Sequence, residues 1–168
     1  MTLATALTLS RIFLIPVFMS LVLERTDEVW AVLVFILAAA TDGFDGYLAR
    51  ARKETTKFGE LIDPIADKLL VCAALLALVD LEQISSWVAM IILGREFAVS
   101  GLRLVVASVG KSIPSSLMGK AKTVSQIVAI AALLIDLPGA TALIWGAAAI
   151  TVASGVDYFL KAQRLLRP

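Results

Sequence analysis

The sequence has no histidine and a single cysteine, Cys72. A disulfide framework is therefore excluded, and a zinc site of the usual imidazole and thiolate ligands has almost nothing to be built from. Charge of either sign is in short supply too: 17% of the 168 residues are Asp, Glu, Lys or Arg, and together they leave a net charge of only +1. That balance argues against a nucleic-acid binder. No stretch has the strand-and-turn pattern, and no internal repeat is visible. What the chain has instead is apolar residues, at 60% of the total with a mean hydropathy of +0.91. Soluble domains run at about 45–50%, so the excess is too large for a water-facing domain that needs a polar surface. The chain reads as membrane-embedded.

A helix needs about 20 residues to cross about 30 Å of hydrocarbon. At that length six apolar spans follow one another, over Leu7–Leu23, Glu28–Tyr47, Leu61–Leu81, Trp87–Val109, Leu117–Ile135 and Ala140–Leu160. The expected architecture is all-α, a polytopic membrane protein with six transmembrane helices in one bundle, forming a single domain over residues 1–168. Pro16 lies inside the first span, where a lipid-embedded helix tolerates it. Glu24-Arg25-Thr26-Asp27-Glu28 follows that span without a small-x-small cleavage pattern, so it reads as a retained helix rather than a signal peptide.

Lys and Arg in the connections set the orientation. Arg50, Arg52, Lys53, Lys57, Lys111, Lys120, Lys122, Lys161, Arg164 and Arg167 fall on one side, and Arg25 stands alone on the other among Glu24, Asp27 and Glu28. Asp80, Glu82 and Asp136 add acid to that second side. Both termini are expected in the cytoplasm.

Ionisable side chains at membrane depth are costly and by default mark function. They concentrate in two places: Asp42 and Asp45, three apart at the cytoplasmic end of the second span, and Asp63 and Asp67, four apart at the start of the third. Each spacing puts its pair on one helix face, and the short connection makes the two helices antiparallel neighbours, so four carboxylates can converge. Four such groups cannot all stay ionised without a cation. Carboxylate oxygens without His or Cys suit hard ions, Mg²⁺ or Mn²⁺, and a two-metal site assists in-line phosphoryl displacement. Gly46, Ala49 and Gly59 leave room for a bulky ligand against the backbone.

Asp42-x-x-Asp45-Gly46-x-x-Ala49-Arg50, then eight residues, then Gly59-x-x-x-Asp63-x-x-x-Asp67 resembles the signature of the CDP-alcohol phosphotransferases. All eight fixed positions match, which at roughly one in twenty each arises by chance on the order of 10⁻⁸ times in a chain this long. The resemblance implies six membrane helices, a homodimer and a metal site near the cytoplasmic surface. It also implies that Asp42, Asp45, Asp63 and Asp67 hold two divalent cations, and that Asp67 is the general base on the acceptor hydroxyl. Asp45, Gly46, Ala49, Arg50 and Gly59 would line the CDP pocket.

Gly94-Arg95-Glu96-Phe97 leading through Ser100-Gly101-Leu102-Arg103, with Gly119-Lys120-Ala121-Lys122-Thr123-Val124-Ser125-Gln126 and the opening Leu7-Thr8-Leu9-Ser10-Arg11, resembles the bacterial phosphatidylglycerophosphate synthase branch of that family. Thr5 departs from the Asn that relatives often carry there. The branch implies CDP-diacylglycerol as donor and sn-glycerol 3-phosphate as acceptor, in a bacterial plasma membrane. The acceptor is a small dianion needing fixed positive charge. Arg95 and Arg103, eight apart on nearly one face of the fourth helix, suit it because guanidinium forks match phosphate; Lys120 and Lys122 enter from the same side. The plainer role for Arg95 is an ion pair with Glu96 or Asp157, and for the lysines attraction to lipid headgroups. Other acceptors (inositol phosphate, serine, phosphatidylglycerol) are the nearest alternative. A cation transporter is a remoter one, because the acid lies near one surface and no repeat is present.

Overall fold

The computed structural model describes the backbone of residues 3–25, 27–52, 57–114 and 116–166, and the side chains of 9–25, 27–41, 65–66, 68–114 and 116–165. Within these residues the chain is all-helical and has no strand. The helices are α1 Leu3–Leu23, α2 Glu28–Arg52, α3 Lys57–Asp80, α4 Ser86–Ser108, α5 Leu117–Leu134 and α6 Ala140–Leu166. They match the six expected spans in order. Four run past the expected ends: α1 begins at Leu3 rather than Leu7, α2 continues to Arg52, α3 begins at Lys57, and α6 continues to Leu166. The added turns of α2, α3 and α6 carry charged residues, whereas that of α1, Leu3-Ala4-Thr5-Ala6, is mostly apolar; a helix satisfies its own backbone equally well inside and outside an apolar layer.

Local chemistry sets the helix ends. Asp27 caps α2, its Oδ1 accepting from the Val29 amide at 2.9 Å. Ser85 caps α4, its Oγ accepting from the Trp87 amide at 3.2 Å. Past α4, Gly110 takes a left-handed φ of +72°, with the Gly110 amide on the Ala107 carbonyl and the Lys111 amide on that of Val106. This is the Schellman closure, which favours glycine. The ends of α3 and α5 close in the same way through Glu82 (φ 58°) and Asp136 (φ 47°). Pro16 is accommodated inside α1.

The chain divides into two compact units. One comprises Met1–Gln83 with Ala131–Leu137, and the other Ile84–Ile130 with Pro138–Pro168. In the first, α1 packs along both α2 and α3, which also touch each other. The Phe18 and Phe35 rings, both fully buried, meet at 5.7 Å between α1 and α2. α1 is thus the element that holds the pair of acid-bearing helices, a role the expectation of α2 and α3 as mutual neighbours did not include. In the second unit α4 packs on α6. A buried hydrogen bond from Gln126 Nε2 to Thr151 Oγ1 at 2.9 Å ties α5 to α6.

Two helical stretches among the described residues are long and apolar enough to cross a membrane, Leu117–Leu134 and Ala140–Leu165; Leu9–Leu23 and Glu28–Thr41 are shorter apolar ones. Large apolar side chains are exposed in both units, among them Phe13 at 76%, Leu104 at 73% and Leu117 at 83% exposure. So many exposed large apolar side chains suit an interface with lipid or protein.

Candidate active site

Helical backbone runs unbroken through Asp42 and Asp45 on α2 and through Asp63 and Asp67 on α3. The expected spacings therefore hold in register: three residues on one helix and four on the other keep each pair on one face. The side chains of Asp42, Asp45, Gly46, Ala49, Arg50, Gly59, Asp63 and Asp67 lie outside the described residues. The donor set at these positions is all carboxylate, which fits a hard divalent cation and not a thiophilic one.

One turn before Asp42, α2 receives a contact the motif does not announce. Arg11 of α1 is 1% exposed, and its Nε donates to the Ala38 carbonyl at 3.1 Å. A buried guanidinium needs compensation from polar or anionic partners. Its presence on α1, one turn of α2 from the first acid, brings positive charge toward the acidic end of that helix. The sequence holds the signal, a lone Arg inside the first apolar span, but its target on α2 depends on packing.

The second unit gathers the expected acceptor residues. Arg95 and Lys122, on α4 and α5, each have side chains 10% exposed and share one carboxylate, Glu96. Lys122 Nζ lies 2.6 Å and Arg95 Nη1 3.3 Å from Glu96 Oε1. Arg95 Nη2 also donates to Ser154 Oγ of α6 at 2.7 Å. Arg103 Nη2 donates to the Tyr158 hydroxyl at 2.7 Å. The Tyr158 ring carries both guanidiniums on its face, with Arg103 Cζ 4.9 Å and Arg95 Cζ 5.5 Å from the centroid. Lys120 is exposed and separate from this cluster, two residues from Lys122 and so on another side of α5. The ion pair expected for Arg95 forms with Glu96, whereas Asp157 binds Lys161 at 2.6 Å, one turn along α6.

Two features of the cluster bear on chemistry. Among the described residues, Arg95, Arg103 and Lys122 bring three positive charges against the single negative charge of Glu96, leaving two in excess. Arg95 Nε is also a buried donor with no acceptor among the described residues. An unpaired buried N–H costs about 1–3 kcal/mol and calls for an explanation where it persists. A phosphate dianion would answer both, supplying oxygens to the free N–H and charge to the excess. Ser154 and Tyr158 were not anticipated from the sequence. Their only signal was a small residue and an aromatic one turn apart beside Gly155, which a reading by apolar spans assigns to lipid or packing.

Comparison with known proteins adds an independent finding. A family profile described as CDP-alcohol phosphatidyltransferase matches residues 1–153. The chain is 40% identical to the CDP-diacylglycerol–glycerol-3-phosphate 3-phosphatidyltransferase of Bacillus subtilis (strain 168), over 96% of this chain and 95% of that protein. It is 38% identical to the protein of the same name from Rickettsia typhi, over 91% of this chain and 92% of the relative. A probable phosphatidylglycerophosphate synthase of Mycobacterium tuberculosis is 42% identical over 96% of this chain and 82% of its own length.

Proposed function

The chain belongs to the CDP-alcohol phosphatidyltransferase family, and from that premise we propose that it transfers the phosphatidyl group of CDP-diacylglycerol to sn-glycerol 3-phosphate, giving phosphatidylglycerol phosphate and CMP. The observation that carries the acceptor assignment is the Arg95–Arg103–Lys122 cluster, with two excess positive charges and an Arg95 Nε without an acceptor among the described residues. A phosphate monoester near neutral pH carries about −1.5 to −2 charge and three acceptor oxygens. Serine offers no such dianion. Inositol phosphate does, and it is the second reading that the same charge supports.

Asp42, Asp45, Asp63 and Asp67 are assigned to hold two divalent cations, Mg²⁺ or Mn²⁺. When bound, these supply charge neutralisation for the donor pyrophosphate and the departing CMP. Gly46, Ala49, Arg50 and Gly59, with Asp45, line the nucleotide pocket. Asp67 takes the proton from the C1 hydroxyl of glycerol 3-phosphate, the alkoxide attacks the phosphorus bearing diacylglycerol, and CMP leaves with the bonding electrons of the pyrophosphate link. With no His, and with Cys72 among Val71, Ala73 and Ala74, no side-chain nucleophile is at hand and the transfer is a single displacement. Arg95, Arg103 and Lys122 hold the acceptor phosphate, so that positioning contributes beside charge stabilisation. Lys120, exposed at the amino end of α5, draws anionic headgroups and substrate to the surface.

The six helices are read as six spans of a bacterial plasma-membrane protein, in one domain over residues 1–168, with both termini cytoplasmic. In that topology α2, α4 and α6 all start at the outer face. Trp30, Trp87 and Trp145, all exposed, sit near those three starts, as interfacial tryptophans do. The family resemblance also points to a homodimer.

The test is CMP release by purified full-length protein in detergent with CDP-diacylglycerol, Mg²⁺ and one acceptor at a time. Glycerol 3-phosphate alone should support release, EDTA should abolish it, and Asp67→Asn should lower it about a thousandfold, within the range for loss of a general base. Release with inositol phosphate instead would overturn the acceptor assignment and leave the acid motif in place.

A further inference from the structure

We propose that Tyr158, on the last helix, is the positioning residue that sets the two guanidiniums for the acceptor phosphate; the proposal rests on the acceptor reading above. Tyr158 is 2% exposed, yet it is not simply core. Its hydroxyl accepts from Arg103 Nη2 at 2.7 Å, and its ring face lies under both Arg103 and Arg95 at 4.9 and 5.5 Å. One ring thus contacts residues two helical turns apart on α4 and fixes the gap between them.

The choice of a phenol has an electrostatic consequence. A carboxylate at this position would orient Arg103 as well but would cancel its charge. Tyr158 holds Arg103 with a neutral oxygen and a π face, so the guanidinium is positioned while its charge stays available to an incoming anion. Acid is within reach in sequence, since Asp157 is the adjacent residue, but Asp157 binds Lys161 at 2.6 Å instead. Glu96 offsets one charge on the Arg95 and Lys122 side. Tyr158 is what leaves the cluster in excess.

The surroundings of the ring agree with a placed, unyielding support. A Cβ added at Gly119 would sit 3.3 Å from the Tyr158 hydroxyl oxygen, and one at Gly155 would sit 3.1 Å from Arg95 Cγ. Both glycines let α5 and α6 close on the assembly without displacing it. Ser154, one turn before Tyr158, holds the other guanidinium at 2.7 Å. The register Ser154, Gly155, Tyr158 on α6 therefore presents one partner to each arginine and a gap for the Arg95 stem. Substrate selectivity, on this account, is written partly in the helix that carries no signature residue.

The experiment is steady-state kinetics of the purified full-length protein, wild type against Tyr158→Phe and Gly155→Ala. It varies glycerol 3-phosphate and CDP-diacylglycerol separately and uses inorganic phosphate as an inhibitor. Tyr158→Phe keeps the ring and loses the hydroxyl. It should raise the KM for glycerol 3-phosphate and the inhibition constant of phosphate together, each about tenfold. The KM for CDP-diacylglycerol should stay within twofold and the thermal midpoint within about 2 °C. Gly155→Ala, which pushes on Arg95, should move the same two constants in the same direction. Unchanged acceptor KM in Tyr158→Phe overturns the proposal. So does a joint loss in both substrates' KM values and in thermal stability, which marks a merely structural residue. Wild-type protein that releases no CMP with glycerol 3-phosphate defeats the underlying acceptor reading instead, whatever the variants do.

Discussion

Glu96 is the residue on which the second unit's charge balance turns. It accepts from Lys122 and Arg95, and the three side chains are all close to nine-tenths buried. Replacing one member of a buried ion pair leaves the other charge uncompensated, at a cost of about 3–5 kcal/mol for a dry pair. With two cations abandoned and partial access to water, Glu96→Gln should destabilise the protein by about 2–4 kcal/mol, seen as a fall of roughly 5–10 °C in the thermal midpoint for a chain of this size. Lys122→Met should cost much less, since Glu96 keeps Arg95. A midpoint unmoved by Glu96→Gln would mean that the carboxylate is solvated and the excess charge is not confined. At the residue scale the sequence announced the acids, the arginines and the Arg95–Glu96 pair. It did not announce Tyr158, Ser154 or the buried Arg11. A one-dimensional motif records spacing along a helix, whereas the partner of a long side chain is decided by which neighbouring helix packs there. Arg11 on Ala38 and Arg103 on Tyr158 bridge different helices, and no local pattern encodes either meeting.

At the scale of the element, helix existence was legible and helix ends were less so. Six apolar runs in the sequence coincide in order with the six helices, because a long apolar segment buries its backbone and must satisfy it internally. The ends that differ are the amino ends of α1 and α3 and the carboxyl ends of α2 and α6. On α2, α3 and α6 the chain turns polar there but stays helical, and on α2 and α3 those added turns carry parts of the signature: Ala49 and Arg50 beyond Tyr47, Gly59 before Leu61. Where a helix does stop, a terminating geometry is present. α4 ends in a Schellman closure at Gly110, whose φ of +72° a side chain resists. Left-handed backbone costs an L-residue roughly 1–2 kcal/mol, so Gly110→Ala should lower the thermal midpoint by several degrees. Glu82→Gly, at the equivalent position after α3 with φ 58°, should leave it unchanged or raise it. Equal losses in both variants would show that the closures do not define these ends.

For the whole molecule, the proposed alternation of spans would account for two asymmetries at once. Basic residues collect in the α2–α3 and α4–α5 connections and the carboxyl tail, while acids collect in the other three turns. Three exposed tryptophans mark the starts of α2, α4 and α6. Cysteine labelling tests the arrangement directly, because Cys72 is the single native thiol. In a Cys72→Ser background, Glu82→Cys should react with a membrane-impermeant maleimide from outside intact cells, and Lys111→Cys only after permeabilisation. The reverse pattern would invert the topology and place the acid motif away from cytoplasmic glycerol 3-phosphate. At every scale the proposed chemistry is direct transfer of the phosphatidyl group from CDP-diacylglycerol to glycerol 3-phosphate. The measurement that tests it most directly is the stereochemical course of that transfer, using donor made chiral at the phosphorus bearing diacylglycerol and purified full-length protein. Direct transfer gives phosphatidylglycerol phosphate with inverted configuration at that phosphorus. Retention, or CMP formed without that lipid, would contradict it.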